Sequence, residues 1–388
     1  MKLTRVSALL VPTALILLAV VGCSLHRNPV PLSRMTDAAI TGMPDIRSWD
    51  IDYQPSFTPQ SLHCSDCAFL AISGGGVNGT FGAGVLCGWT QAGTRPKFKL
   101  VTGISTGALI APFAFLGPEY DQTLKHLSTT VATKDVLGVQ GILGLFPWPW
   151  NESFADASPS ERLIEQHVDQ HLLEAVAKEH AKGRRLYIGT TNLDAERFVA
   201  WDMGAIAASG HPDALNMFRK VMLASGSIPG AFPPVYFDVE IDGKTYDEMH
   251  VDGGTMTEVF GYGSLPVSEE LMSQMLTSEN AYTLYVIANG KLATRPRQVP
   301  RNTLKIIRHS FSTLMKTHSW GDIYRLYSVA KRDNVDFKYV SIPDDYVVAG
   351  EQKLGPDEMS RLFDVGVEMG KAGRWRKGPP KLSIINHH

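Results

Sequence analysis

The residues best suited to chemistry in this chain begin with a serine between two glycines. Gly103, Ser105 and Gly107 fit the pattern G-x-S-x-G, and the serine falls between a predicted strand and a predicted helix. In that setting the serine occupies a strained turn, and its hydroxyl projects from the carboxyl end of a sheet, where α/β folds bind ligands. The pattern predicts Ser105 as a nucleophile for acyl transfer. The alternative is a tight turn that holds an ordinary serine.

A run of glycines lies upstream, directly after another short apolar stretch. Gly74, Gly75 and Gly76 open a loop that ends at Gly79. Backbone N–H groups at a helix N-terminus stabilise the oxyanion of an acyl-transfer intermediate, so these glycines are predicted to form an oxyanion hole. The same loop matches the G-x-G-x-x-G dinucleotide pattern. That alternative lacks the acidic residue expected about twenty positions further on, because none occurs between Asp66 and Glu119.

A serine hydroxyl needs a base to accept its proton. His250, His309 and His318 lie downstream, so a Ser-His-Asp esterase is one alternative. Asp252 is the candidate in a glycine-rich setting, at the start of an Asp-Gly-Gly sequence. A carboxylate serves as a base when burial raises its pKa and it lies within hydrogen-bond reach of the hydroxyl. In isolation, Asp-Gly-Gly is more simply interpreted as a turn.

The elements that must position these residues alternate between strand, glycine turn and helix. Apolar runs stopped by glycine predict strands over 68–73 and 100–102, and a helical run follows each. This alternation predicts one doubly wound α/β domain. Further strands are predicted over 185–191, 198–202, 235–241, 282–288 and 337–342, and helices over 79–91, 106–116, 160–182, 214–224, 303–329 and 356–371.

Taken together, the motifs resemble those of the patatin-like phospholipase family. The resemblance rests on the triple-glycine loop, the G-x-S-x-G sequence, the block Ala224–Val235, and Asp252 with Gly253 and Gly254, in this order. It covers residues from about 65 to 260 and implies a three-layer α/β/α patatin-like fold with a mainly parallel central sheet. It also implies a Ser105–Asp252 dyad without histidine and an oxyanion hole in the glycine loop.

The resemblance implies a serine lipid acyl hydrolase of the phospholipase A or lysophospholipase type. Its substrate would be a membrane lipid, and no metal or organic cofactor is expected. Asn78 stands where the family commonly has Arg or Lys. A second hypothesis is therefore a lipid-binding lipoprotein that has kept the fold and lost the activity.

The amino terminus has the order of a secretory signal. Basic residues precede an apolar run from Val6 to Val21, and Gly22 stands directly before Cys23. A small residue before a cysteine resembles the lipobox of bacterial lipoproteins, which predicts export, lipidation of Cys23 and anchoring to a membrane; Ser24 favours the outer membrane. An ordinary signal or an uncleaved anchor is the alternative. The predicted boundaries are a signal peptide over 1–22, a Pro- and Ser-rich tether over 23–60, and an acyl hydrolase domain over 61–380.

Charge, cysteine spacing and one apolar segment bear on which other functions the chain could have. The net charge of −2 and the lack of a basic block argue against nucleic acid and give no electrostatic reason for binding anionic lipid. Cys64 and Cys67 form a C-x-x-C, for which a local disulfide or two inert thiols are favoured over a redox site. The apolar residues 136–150 end in two tryptophans, which suits either a membrane-facing lid or a buried loop.

Overall fold

A mixed β-sheet forms the centre of the molecule. The computed structural model describes residues 27–49, 66–130, 138–139, 153, 155–265, 281–294, 296, 298–347 and 355–379. The strands in these ranges are β1 Ala39–Ile40, β2 Arg47–Trp49, β3 Asp66–Ile72, β4 Leu100–Ile104, β5 Gly138–Val139, β6 Ala155–Asp156, β7 Arg185–Asn192, β8 Arg197–Asp202, β9 Val235–Ile241, β10 Lys244–Asp252, β11 Ala281–Ala288, β12 Asp336–Ser341 and β13 Arg376–Lys377.

The main sheet is parallel at its centre and antiparallel at its edges. Its order is β1-β9-β10-β7-β4-β3-β11-β12-β13, with β8 also on β7 and β2 on β8. The five strands β7, β4, β3, β11 and β12 run parallel, as crossover connections through helices require. The predicted α/β class with a mainly parallel central sheet is confirmed.

Helices cover both faces of this sheet and complete three layers. Side chains alternate along β3, so Leu70 and Ile72 enter one apolar core while Phe69 and Ala71 enter the other. The helices in the described ranges are α1 Gly79–Gln91, α2 Thr106–Leu116, α3 Asp121–Thr130, α4 Ser158–His167, α5 Gln170–Ala181, α6 Met203–Ala208, α7 Ala214–Ser225, α8 Thr303–Arg332 and α9 Pro356–Lys371. The core that contains Leu70 also takes side chains of α1, α2, α7 and α9, whereas the core that contains Phe69 takes those of α8.

The predicted helix over 160–182 is wrong in one respect, because the segment forms two helices. Helix α4 ends at His167, and α5 begins after Asp169. The Asp169 carboxylate accepts a hydrogen bond from the Leu172 N–H at 2.9 Å and so caps the second helix. A capping aspartate inside a helical pattern therefore marks a break.

The segment 27–49 differs from the prediction of a tether over 23–60. Within it, β1 pairs with β9 and β2 pairs with β8, and Val30, Ile40 and Trp49 are buried. The buried Arg47 guanidinium also forms an ion pair with Glu248 on β10. These residues are part of the folded domain because they cover the edge strands of the sheet.

Several predictions fall partly or wholly outside the described residues. These are the signal over 1–22, Cys23, Cys64 and most of 136–150. Cys67 is disulfide-bonded, and Cys87 is a free and buried thiol. In the part of the chain that is described, no helix combines the length and the apolar composition that crossing a bilayer requires.

Candidate active site

Ser105 occupies a strained turn between β4 and α2. Its backbone has φ 55° and ψ −123°, a region that non-glycine residues rarely adopt. The flanking glycines allow this turn to pack closely. A Cβ at Gly103 would lie 2.4 Å from the Gly107 carbonyl oxygen, and one at Gly107 would lie 2.4 Å from the Ile72 carbonyl oxygen. The predicted strand, turn and helix around Ser105 are therefore all present, and both glycines are sterically required.

A second serine, which no motif indicated as functional, holds this turn. The Ser105 N–H donates to the Ser225 hydroxyl oxygen at 3.0 Å, and that hydroxyl donates to the Gly189 carbonyl at 2.6 Å. Ser225 is fully buried at the end of α7. The strained backbone is thus fixed by a hydrogen bond from a neighbouring element. The sequence signal was the Ala224–Val235 block, in which Ser225 is the second residue.

The register of β7 brings Asp252 to Ser105. Ile104, the last residue of β4, pairs with Gly189 of β7, and Asp252, the last residue of β10, pairs with the next residue, Thr190. Because β8 occupies the other edge of β7 over these positions, β4 and β10 share one edge and their ends meet. The Ser105 hydroxyl consequently lies beside the Asp252 carboxyl group, close enough to favour its ionised form.

Backbone contacts orient the Asp252 carboxylate. The Gly254 N–H donates to Asp252 Oδ1 at 2.7 Å, and the Asp252 N–H donates to the Ser227 carbonyl at 2.9 Å. A Cβ at Gly253 would lie 2.6 Å from the Gly189 carbonyl oxygen, so this turn, too, requires glycine. The Asp-Gly-Gly sequence is therefore a turn and also the support of a carboxylate.

Burial sets the protonation of Asp252. Desolvation raises its pKa to about 6, although the hydrogen bonds from Ser105 and Gly254 act in the opposite direction. A carboxylate with this pKa is ionised at neutral pH and remains a stronger base than an exposed aspartate. That property suits proton abstraction from a hydroxyl within hydrogen-bond reach.

The glycine loop presents two of its three predicted amide donors. The Gly74 N–H donates to the Glu258 carbonyl at 3.0 Å and is already engaged. Gly75 and Gly76 have φ 151° and 55°, and their N–H groups donate no hydrogen bond within the described part of the chain. Gly74 is therefore removed from the three predicted donors, and the oxyanion hole stays a prediction for Gly75 and Gly76.

Asn289, after β11, braces the start of this loop and was not predicted. Its N–H donates to Ser73 Oγ at 2.8 Å, its side-chain amide donates to the Ser73 carbonyl at 2.9 Å, and its side-chain oxygen accepts from the Gly82 N–H at 3.1 Å. A Cβ at Gly75 would lie 2.3 Å from the Asn289 carbonyl oxygen. The available signal was a polar residue directly after a buried strand.

A second carboxyl group, that of Glu258, lies beside Asp252 and the glycine loop. A Cβ at Gly74 would lie 2.9 Å from Glu258 Oε2, and one at Gly254 would lie 2.8 Å from Oε1, so the carboxyl group spans both glycine turns. Burial, followed by the charges of Asp252 and Asp322, raises the pKa of Glu258 to about 8. Glu258 is therefore mostly protonated at neutral pH.

Two cavities meet at Ser105. One has a volume of about 260 Å³ and mainly apolar walls supplied by α2, α3, α4 and α7. The other has a volume of about 380 Å³ and contains Asp252, Glu258 and two lysines, Lys291 and Lys316. The serine thus stands between an apolar compartment and a polar one. Residues that line the apolar cavity include Leu109, Phe113, Leu127, Ile164, Met222 and Phe232.

The predicted alternative bases lie elsewhere. His250 is completely buried, and its ring contacts Thr190 Oγ1 at 2.9 Å and Glu248 Oε2 at 3.2 Å. Of the described residues that line the two cavities, none is His250, His309 or His318. His167 does line the apolar cavity, beside His126. Within the described ranges, no group of three or more His, Cys, Asp or Glu side chains is placed to hold a metal ion.

These features define an α/β protein with a serine at a strained strand-to-helix turn, a buried carboxyl group beside it, and two backbone amides nearby that donate no hydrogen bond within the described residues. Such an arrangement is suited to acyl transfer. A family model described as patatin-like phospholipase matches residues 70–260. The chain therefore contains a patatin-like phospholipase domain, and the resemblance inferred from the motifs is confirmed.

Three solved structures are similar to this chain. VipD from Legionella pneumophila is 11% identical with a TM-score of 0.39, over 81% of this chain and 68% of that one. Human GIVD cytosolic phospholipase A2 is 10% identical with a TM-score of 0.33, over 80% and 59%, and the type III effector ExoU is 13% identical with a TM-score of 0.23, over 79% and 52%. The matches thus span about half to two-thirds of those proteins. No curated protein matches the chain.

Proposed function

We propose that the protein hydrolyses acyl esters of membrane lipids, in the manner of a phospholipase A or a lysophospholipase, with Ser105 and Asp252 as its catalytic dyad. The observation that carries this proposal is that the Ser105 hydroxyl, on a strained turn, lies beside a buried carboxyl group whose pKa is raised to about 6. The patatin-like phospholipase domain supports a lipid acyl hydrolase. The adjoining apolar cavity supports a substrate with an acyl chain.

In the first step, Ser105 Oγ forms a bond to the ester carbonyl carbon while its proton passes to Asp252. The carbonyl oxygen becomes an oxyanion and accepts hydrogen bonds from the Gly75 and Gly76 amides. The intermediate then collapses: the bond to the leaving alcohol breaks, and that oxygen takes the proton from Asp252. Water attacks the acyl-enzyme and transfers a proton to Asp252, which returns it to Ser105 as the fatty acid leaves.

The two cavities suggest how the substrate is oriented. The acyl chain occupies the apolar cavity because transfer of hydrocarbon from water to apolar walls is favourable. The alcohol portion lies in the cavity that contains Lys291 and Lys316, where a phosphate group would meet positive charge. Phospholipid is therefore the leading substrate.

The chain acts at a bacterial membrane, most simply as an exported lipoprotein anchored through Cys23. The motivation is the apolar run ending in Gly22-Cys23. Metabolic labelling with a fatty-acid analogue should mark the wild-type chain and leave Cys23→Ser unmarked. Labelling of both proteins would contradict lipidation at this cysteine.

The catalytic proposal is tested by covalent trapping. A fluorophosphonate probe should label the full chain once, at Ser105, as determined by mass spectrometry of the labelled peptide. Ser105→Ala should lose both the label and the hydrolysis of phospholipid vesicles. If wild-type protein binds the vesicles but neither reacts with the probe nor releases fatty acid, the inactive lipid-binding lipoprotein is the better hypothesis.

A further inference from the structure

The charge of this chain is unevenly distributed along its sequence. Residues 291–321 contain seven Lys and Arg residues, two His residues and no Asp or Glu, although the net charge of the chain is −2. The interpretation that the chain lacks a basic block holds for its average composition and is wrong for this stretch. A local excess of basic residues attracts anionic lipid even when the net charge of the whole chain is slightly negative.

Most of this stretch belongs to a helix that is only half packed. In the carboxyl half of α8, Ile323, Leu326 and Ala330 are buried in the core under the sheet. In the amino half, no residue between 303 and 321 with a described side chain is buried. Half of the helix is thus anchored on the domain, and the other half presents its surface outward.

The exposed half carries large apolar side chains. Ile307 and Leu314 are 59% and 60% exposed, and Ile306 and Phe311 are 48% and 44% exposed. The positions 307, 311 and 314 follow the i, i+4, i+7 spacing of one helix face. Clusters of exposed apolar side chains on a protein surface mark interaction sites. Here Lys305 is exposed on the same half of the helix, and Arg301 is exposed just before the helix begins.

This surface is continuous with the candidate active site. Phe311 lines the polar cavity together with its neighbour on the next turn, Met315. The same cavity contains Ser105 and Asp252. A body that covers the exposed half of α8 therefore also covers the mouth of the cavity.

We propose that Arg301, Lys305, Ile306, Ile307, Phe311 and Leu314 form a docking surface for a bilayer that contains anionic lipid. The apolar side chains enter the boundary between head groups and acyl chains, and the basic side chains meet lipid phosphates. The juxtaposition of cations, exposed aliphatic residues and a cavity suited to an acyl chain favours a lipid surface over a protein. The docking deepens the proposed function, because it sets the cavity mouth on the layer that supplies the substrate.

The test measures vesicle binding without catalysis or lipid anchoring. The full chain carries Ser105→Ala and Cys23→Ser, and its co-sedimentation is compared for phosphatidylcholine vesicles with and without phosphatidylglycerol. Adding Ile307→Asn and Leu314→Asn should weaken binding to the anionic vesicles by at least about tenfold, since two large apolar side chains no longer leave water. Leu32→Asn is the matched control, because Leu32 is 83% exposed beside β1, at the opposite end of the sheet from β12.

The electrostatic part is tested separately. Arg301→Glu with Lys305→Glu should weaken binding to anionic vesicles by roughly tenfold or more and should leave binding to neutral vesicles unchanged. Equal binding by the Ile307→Asn/Leu314→Asn protein and the Leu32→Asn protein overturns the docking surface. The docking surface is also overturned if the wild-type protein binds anionic and neutral vesicles equally while a protein partner binds to these residues.

A catalytic readout distinguishes failure of this surface from failure of the proposed function. With Ser105 restored, the Ile307→Asn/Leu314→Asn protein should lose vesicle hydrolysis by about tenfold and keep its rate on a soluble short-chain ester. Absence of hydrolysis in the wild type with vesicle binding still dependent on Ile307 and Leu314 contradicts the proposed function alone. Parallel loss of both rates in the variant contradicts the docking surface, because the substitutions then act on the catalytic site itself.

Discussion

Strand β10 carries two carboxyl groups of opposite character on one face. Glu248, His250 and Asp252 lie at every second position, so their side chains share a face of the strand. Burial opposes the ionisation of Glu248, but the hydrogen bond from His250 and the charge of Arg47 outweigh it and lower the pKa to about 2. No cation contributes to the shift at Asp252, where burial dominates and raises the pKa to about 6.

The difference shows how the surroundings of two buried carboxyl groups on one strand set their affinity for a proton. Glu248 belongs to a continuous chain in which Trp201 donates to Thr190, Thr190 contacts His250, and His250 contacts Glu248, which also meets Arg47. Its charge is fully compensated, so it has little tendency to take a proton. Asp252 is equally buried, yet it faces a cavity and a hydroxyl, and its proton affinity remains available for chemistry.

The largest expected effect follows from removing the charge of each carboxylate without changing its shape. Asp252→Asn should reduce ester hydrolysis by about a thousandfold, because the amide cannot accept the Ser105 proton. Glu248→Gln should retain most of the rate. The measurement is fatty-acid release under conditions where circular dichroism shows both variants folded. Similar losses in the two variants would remove the distinction between them.

Breaking the compensation of Glu248 should destabilise the fold. Arg47→Met leaves a buried carboxylate without its cation, a change that typically costs about 3 to 5 kcal/mol in the free energy of unfolding. The control is Arg34→Met, which removes exposed ion pairs with Asp37 and Asp242 and should produce no measurable change. Denaturant unfolding compares the two variants. Equal midpoints for both would show that the N-terminal strands contribute little through Arg47.

The stability effects of the two carboxylates should have opposite signs. The folded pKa of Asp252 lies above that of an unfolded aspartate, so its ionisation as the pH rises towards and past about 6 costs stability. Asp252→Asn should therefore stabilise the protein by on the order of 3 kcal/mol at pH 8, and this gain should vanish near pH 4.

For Glu248 the folded pKa lies below the unfolded value, so its stabilising contribution is present above about pH 4.5 and is lost as the pH falls through about 2. Glu248→Gln should therefore destabilise the protein by on the order of 3 kcal/mol at pH 7. Thermal unfolding over a pH series checks both signs. A shift of the same sign in both variants at pH 8 would contradict the assignment of opposite environments.

The sequence predicts features that depend on neighbouring residues better than features that depend on contacts between distant segments. Strand β4, Ser105 and helix α2 were predicted because glycines and an apolar run determine that unit locally. The contact of Ser105 with Asp252 depends on the register of β7, which the residues alone do not reveal; it was anticipated through the family resemblance.

The residues that were missed act through contacts between distant elements. Ser225 and Asn289 hold backbone segments that lie far from them in sequence. The strands β1 and β2 are two and three residues long, so they show no periodicity, and pairing with β9 and β8 defines them. The break at Asp169 could have been predicted from the sequence, because a capping aspartate is a local signal.

The smallest effect concerns Glu258, whose carboxyl group lies beside Asp252 with a pKa of about 8. Activity should rise as Asp252 ionises near pH 6 and fall again as Glu258 ionises near pH 8, because a second negative charge beside the glycine loop opposes formation of the oxyanion. Glu258→Gln keeps the shape and removes this ionisation. The variant should keep the acidic limb of the kcat/KM profile and lose the alkaline limb, which amounts to a gain of severalfold at pH 9.

Asp322 provides the matched control for this prediction. Its carboxylate accepts the Glu258 N–H at 2.7 Å and contributes to the raised pKa of Glu258. Asp322→Asn removes that charge and so lowers the pKa of Glu258. The alkaline limb of the kcat/KM profile should therefore keep its shape and move to lower pH. An alkaline limb that is unchanged in Glu258→Gln would assign the loss of activity above pH 8 to a different group. The pair of variants thus separates the electrostatics of Glu258 from a merely structural role, because a structural role would change the rate at every pH alike.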